Sequence, residues 1–139
     1  MTVRVLLDTN VVLDVLLRRE PWLEDAAAIW QAADDGRLTA FITATSLTDI
    51  FYVAWRLADL PRARQSVQIC LDAFEIALVD RAALERAQQL SGSDFEDNVQ
   101  IACAEAGALD AIVTRDAASF AASPIAVWSP ADCRQRLAP

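Results

Sequence analysis

The stretch VRVLLDTNVVLD, residues 3–14, decides the fold. Residues 3–7 are apolar except for Arg4 and too few for a helix, which is the pattern of a short core strand. Asp8, Thr9 and Asn10 follow at once, and a second apolar run then carries Asp14 inside it. A core strand that passes into a helix through an acid opens a strand–helix unit. In open parallel sheets ligands bind at the carboxyl ends of the strands, so an acid at this junction is a candidate functional group.

Downstream the same alternation recurs. Helices are expected over 10–18, over 22–35 after Pro21 and ended by Gly36, over 46–58, and from Pro61 to about 73. Strands are expected at 39–43, 74–79 and 110–114, with a small one at 125–128. Further helices are expected over 81–90, over 94–106 ended by Gly107, briefly at 117–121, and after Pro130. On the helix of residues 46–58, Ile50, Phe51, Ala54 and Trp55 form an apolar stripe. The alternation predicts one α/β domain over 1–139, a three-layer sandwich on a mostly parallel sheet of about five strands. No repeat, linker or low-complexity segment interrupts it.

Composition narrows the chemistry. The chain has no histidine, and its lysine and arginine positions are all arginine. This excludes a Ser-His-Asp triad, an HExxH zinc site, a P-loop lysine and a Schiff base. The three glycines, Gly36, Gly92 and Gly107, cannot form GxGxxG. Cys70, Cys103 and Cys133 are widely spaced and read as reduced, buried thiols. No apolar run spans a membrane and no signal-peptide pattern opens the chain, so a cytoplasmic location is expected. A net charge of −8 argues against a simple nucleic-acid-binding module. Chemistry, if present, has to come from carboxylates, which most often work by holding a hard cation such as Mg²⁺ or Mn²⁺.

Each acid also has a structural explanation. Asp8 and Asp116 follow the first and fourth strands, where aspartate is a preferred helix cap. Both at one sheet edge favour function. Ser46-x-x-Asp49 and Ser93-x-x-Glu96 match capping boxes, which makes Glu96 structural and leaves Asp49 open to either role. Asp94 and Asp97 share a helix face, and Ile101 and Ala104 continue it toward the core. A carboxylate there is costly unless paired or metal-bound. Asp94 remains a cap, a group that supports a ligand from behind, or a ligand. Asp14 is expected to pair with Arg18 one turn on. Asn10 and Thr114 suit the orienting of a carboxylate or a metal-bound water. Asp8, Asp49, Asp97 and Asp116 thus come from four segments and converge on one end of the sheet. Four such charges repel by ~1 kcal/mol per pair at about 4 Å in water, and more near a protein surface. The cluster predicts a divalent-metal pocket.

The stretches VLLDTNVVLD, ITATSLTDIFYVAWR and DFEDNVQIACAEAGALDAIVTRDAASF, in this order and context, resemble PIN-domain proteins of the small bacterial kind that includes VapC-type toxins. The resemblance covers nearly the whole chain. It implies an Mg²⁺- or Mn²⁺-dependent ribonuclease acting on single-stranded RNA. Its acidic quartet maps onto Asp8, Asp49, Asp97 and Asp116, with the metal held by Asp8, Asp97 and Asp116. Its supporting polar residues map onto Asn10 and Thr114, and an extra acid onto Asp94. Asp49 departs from the more common glutamate. Arg115 is the expected substrate-steering arginine, with Arg56 second. An antitoxin protein and a homodimer are the implied partners, with Phe51, Tyr52 and Trp55 as core or interface. Haloacid-dehalogenase-like and response-regulator folds also place aspartate after a first strand, but imply a late lysine that is missing here. A non-catalytic RNA-binding or interaction domain that kept the pocket is the remaining alternative.

Overall fold

The computed structural model describes residues 2–137. The first strand, β1 (Val3–Leu7), is followed by α1 (Thr9–Leu16) and α2 (Leu23–Asp34). Next come β2 (Leu38–Thr43), α3 (Ala44–Leu57), α4 (Leu60–Ala73) and β3 (Glu75–Ala77). Then α5 (Arg81–Gln89), α6 (Phe95–Ala106) and β4 (Ala111–Val113) lead into a 3₁₀ turn (Ala117–Phe120). The strand β5 (Ala126–Trp128) and α7 (Pro130–Arg136) complete the described chain.

All five strands pair in parallel, in the order β3-β2-β1-β4-β5. The sheet is built outward from β1, first to β2 and β3, then back across to β4 and β5. The order therefore reverses between β1 and β4, which opens a crevice at their carboxyl ends. Side chains of β1 alternate across the sheet. Val5 and Leu7 enter one core with Ile42 of β2 and with Val12, Ile29, Ile50, Cys70 and Cys133, contributed by α1 to α4 and α7. Leu6 enters the opposite core with Ile101, Ala104, Ile112 and Phe120. Beyond it α5 packs on α6 through Ala83, Ala87, Val99 and Cys103. The result is the expected three-layer sandwich, with a sheet that is wholly parallel.

The cysteines are all free and buried, and burial pushes the Cys70 thiol up to about 12. Among the described residues no helix is long and apolar enough to cross a membrane.

Several local expectations need correction. Pro21 precedes α2 without starting it, since the helix begins at Leu23 with Trp22 as its N-cap. Gly36 does end that helix, in the left-handed region at φ 76. Gly107 also ends its helix, as the C-cap of α6, but in right-handed geometry, and the left-handed position falls to Ala108 at φ 52. Neither predicted capping box forms. Thr43 caps α3 by accepting from the Ser46 amide, and Asp94 caps α6 by accepting from the Asp97 amide. Ser46 and Glu96 consequently lie inside their helices. On α3, Ile50 and Ala54 are buried, whereas Trp55 is 47% exposed and Phe51 is half-buried, so the predicted stripe splits between core and surface.

Candidate active site

A cavity of about 430 Å³ opens at the carboxyl ends of β1 and β4. It is lined by Asp8, Asn10, Asp49, Asp94, Glu96, Asp97 and Asp116, together with Tyr52, Arg56 and Ser119. The four predicted acids do meet there, as do Asp94 and Asn10. A larger cleft of about 620 Å³ between α2 and α7 carries no comparable convergence. Its Asp25 and Arg134 pair with each other at 3.1 Å.

Asp8 sits at the N-cap position of α1, yet its carboxylate caps nothing. One oxygen accepts from Gln100 Nε2 at 3.1 Å and the other from Thr114 Oγ1 at 2.9 Å. All three residues are buried. The Thr114 hydroxyl also accepts from the Asp116 amide at 3.0 Å, so one side chain sets two of the acids. Thr114 thus orients a carboxylate, as its place beside the strand end suggests. Gln100 has no counterpart in the sequence reading. Its only signal is an amide side chain inside the otherwise apolar run Val99–Cys103, and its Oε1 is buried without a partner. A buried hydroxyl chain ties α1 to α3: Thr9 and Ser46 lie 2.7 Å apart, and Thr43 bonds Ser46 at 3.1 Å. That chain fixes Asp8 against the helix that carries Asp49.

Asp97 is pushed up to about 7. Burial is the largest cause, followed by the charges of Asp94, Asp8 and Asp116, while the nearby Ser119 hydroxyl acts the other way. Glu96 is pushed up to about 8, first by its hydrogen bond with Asp49, then by desolvation and the charges of Asp49, Asp94 and Asp97. Protonation of Glu96 relieves a repulsion that a cation would relieve better. Glu96 is therefore a member of the cluster that the capping pattern concealed. Ser119 is another addition, donating to Asp116 at 2.6 Å.

Two expectations change. Asp14 is fully buried and pairs with Arg115 through both oxygens, at 2.9 and 3.2 Å, with Arg19 at 3.7 Å. Arg18 is not its partner; that residue takes a left-handed conformation at φ 53. Arg115 does not line the cavity. Its guanidinium lies between Asp14 and the face of Trp22, 3.8 Å from the ring centre. The strut holds the segment Thr114–Asp116 from behind.

The donor set suits a hard cation. It consists of oxygens alone, without histidine or cysteine, and the acids repel strongly enough to hold protons near neutrality. Among the described residues no three acids already close on one point. Cation binding on this geometry requires side-chain rotation and loss of the proton held by Glu96.

Comparison with protein families matches residues 4–118 to a PIN domain model. The chain belongs to the PIN domain family. A comparison with curated protein sequences found no significant match. Solved structures similar in fold include the DNA-bound VapBC of Salmonella typhimurium, with TM-score 0.72, 17% identity, and coverage of 93% of this chain and 99% of that one. They also include VapC20 of Mycobacterium tuberculosis, a sarcin–ricin-loop-cleaving toxin, with TM-score 0.70, 14% identity and coverage of 85% and 94%. PAE2754 of Pyrobaculum aerophilum is similar at TM-score 0.68 and 16% identity, with coverage of 97% and 89%. This PIN domain thus shares its whole architecture with small VapC-type proteins. Asp8 and Asp116 fall just past the ends of β1 and β4, Asp97 on the first turn of α6, and Asp49 on the second turn of α3.

Proposed function

We propose that this PIN domain is a metal-dependent endoribonuclease that hydrolyses phosphodiester bonds of single-stranded RNA, as the toxin of a toxin–antitoxin pair. The observation that carries the reading is Asp8. It is buried at a helix start, does not cap that helix, and is fixed by Gln100 and Thr114 toward a pocket of further acids.

Asp8, Asp97 and Asp116 would hold Mg²⁺ or Mn²⁺, with Asp49 assisting. The cation, when bound, lowers the pKa of water and offsets charge on the scissile phosphate. The chain does the positioning. Gln100 and Thr114 hold the Asp8 carboxylate in one orientation, and Ser119 holds Asp116. Asn10, exposed on the rim, is placed to orient a water or the phosphate. Glu96, whose carboxyl is pushed up to about 8 beside Asp49, would take up or release a proton next to the reacting group. Arg115 supports Asp116 through its ion pair with Asp14, so its contribution is to position the acid rather than to touch RNA.

Partners follow from the same reading. The similar structures include VapBC and toxin–antitoxin complexes, and an antitoxin would here cover an acidic cleft lined in part by Tyr52, on which Trp55 stacks. A homodimer and a cytoplasmic location accompany the proposal. A non-catalytic domain with a vestigial pocket is favoured by one observation, the lack of three acids closed on a point among the described residues.

The test is cleavage of a labelled single-stranded RNA pool with Mg²⁺, Mn²⁺ or EDTA, comparing the unaltered protein with Asp97→Asn. Metal-dependent cutting that Asp97→Asn loses by a factor of about 100 or more supports the nuclease. Folded protein that cuts nothing with any metal contradicts it.

A further inference from the structure

Two turns of α3 present Asp49, Tyr52, Val53 and Arg56 to the same cavity, at the i, i+3, i+4 and i+7 spacing of one helix face. Arg56 is the lone cation among the residues lining a cavity that also holds six carboxylates. None of those acids takes it as an ion-pair partner among the described residues, although seven other arginines are so paired or bonded to backbone. Its guanidinium is therefore available for an anion from outside. Tyr52 beside it is 57% exposed, and its ring lies nearly parallel to that of Trp55, with 20° between planes and centres 6.2 Å apart. An open aromatic face next to an unspent guanidinium is the pairing that holds a phosphate and stacks the adjoining base.

The charge balance makes such a contact necessary. The chain carries −8 overall and the cavity is acidic, so an RNA backbone gains no general attraction to this surface. Arginine suits the task because its planar fork grips phosphate through two donors. We propose that Arg56 and Tyr52 form the subsite for the nucleotide flanking the scissile phosphate. Arg56 grips the flanking phosphate and Tyr52, backed by Trp55, stacks an unpaired base. The subsite rests on the nuclease reading and specifies which side chains of this protein select single-stranded RNA.

The experiment uses a short random-sequence single-stranded RNA labelled at the 5′ end. Cleavage is followed with Mn²⁺ in the full chain carrying Arg56→Ala, Arg56→Lys or Tyr52→Leu. Anisotropy titrations of the same RNA are run against the non-cutting Asp97→Asn chain, with and without each change, over a range of salt. Arg56→Ala is expected to raise KM and Kd about tenfold, with kcat little changed. It should also lower the slope of log Kd against log salt by about 0.7, one phosphate's share for a single strand. Arg56→Lys should restore the salt slope but only part of the affinity, and Tyr52→Leu should weaken binding with the slope intact. Unchanged KM, Kd and slope in folded Arg56→Ala overturn the proposal. Unchanged values in Tyr52→Leu overturn the base-stacking half and leave that face to a protein partner. If the unaltered chain neither cuts nor binds the pool, the nuclease reading itself falls. If it cuts and the variants match it, only the subsite does.

Discussion

At the scale of single residues, burial separates acids that look alike in sequence. An aspartate opening a helix ordinarily gives its carboxylate to the first-turn amides. Asp94 does so, and Asp8 does not. Asp14 is buried for another reason, as the anchor of Arg115 and Arg19 behind the site. Replacing it with alanine leaves Arg115 half of a broken pair. We expect Asp14→Ala to cost about 3 kcal/mol, which lowers the midpoint of thermal unfolding by on the order of 10 °C. Activity should also fall, because the Thr114–Asp116 segment loses its support. Calorimetric melting checks the first outcome, and a shift below 2 °C would contradict it. The Asp14–Arg115 pair was not legible from sequence, because its partners lie 101 residues apart and a nearer arginine, Arg18, offered a helical partner. Asp49 lies in the second turn of α3 and showed only as an acid beside Ile50 and Phe51, whereas Asp8, Asp97 and Asp116 were legible because each follows a strand or opens a helix. Glu96 was not, because SGSDFED holds two overlapping capping patterns and Asp94, not Ser93, became the cap.

At the scale of elements, α6 carries most of the site and its two ends are set differently. Before the helix, Gly92 makes room for a close approach. A Cβ there would lie 2.4 Å from Asn98 Oδ1, while Asn98 Nδ2 donates to the Gly92 carbonyl at 2.8 Å. Gly92→Ala should destabilise by roughly 1–3 kcal/mol and displace Asp94 and Asp97, lowering metal affinity as well as stability. Denaturant unfolding and metal titration of the same variant check both. After the helix, Ala108 occupies a left-handed position that suits glycine. Ala108→Gly, exposed and remote from the cavity, should stabilise by about 1 kcal/mol without altering activity. A loss of stability would mean that this residue packs more than its exposure indicates. The helix ends were legible to within a few residues. The exact caps were not, since capping depends on backbone geometry that several neighbouring Ser, Thr and Asp residues can each satisfy.

At the scale of the whole molecule, strand–helix alternation and buried strand pattern dictated a parallel sheet, and the order reversal between β1 and β4 decides where its acids gather. That gathering makes stability depend on pH. Asp97 and Glu96 have folded-state pKa values raised to about 7 and about 8, above their ordinary 3.8 and 4.5. Between those limits the folded chain holds protons that the unfolded chain has released. Stability from these groups is thus full below about pH 4 and is lost as pH rises through 7 and 8. In EDTA, the melting temperature should fall between pH 6 and pH 9, and a divalent cation should restore it. A melting temperature that rises over that range would show that the acids do not crowd one another.

The measurement that bears most directly on the account is calorimetric titration of Mn²⁺ into the metal-free protein near pH 7, in two buffers of different ionisation enthalpy, alongside Asp97→Asn. Binding with proton release, seen as a heat that differs between the buffers and is lost in Asp97→Asn, is the predicted result. No saturable heat from the folded, unaltered chain would contradict the claim that these carboxylates form a metal site.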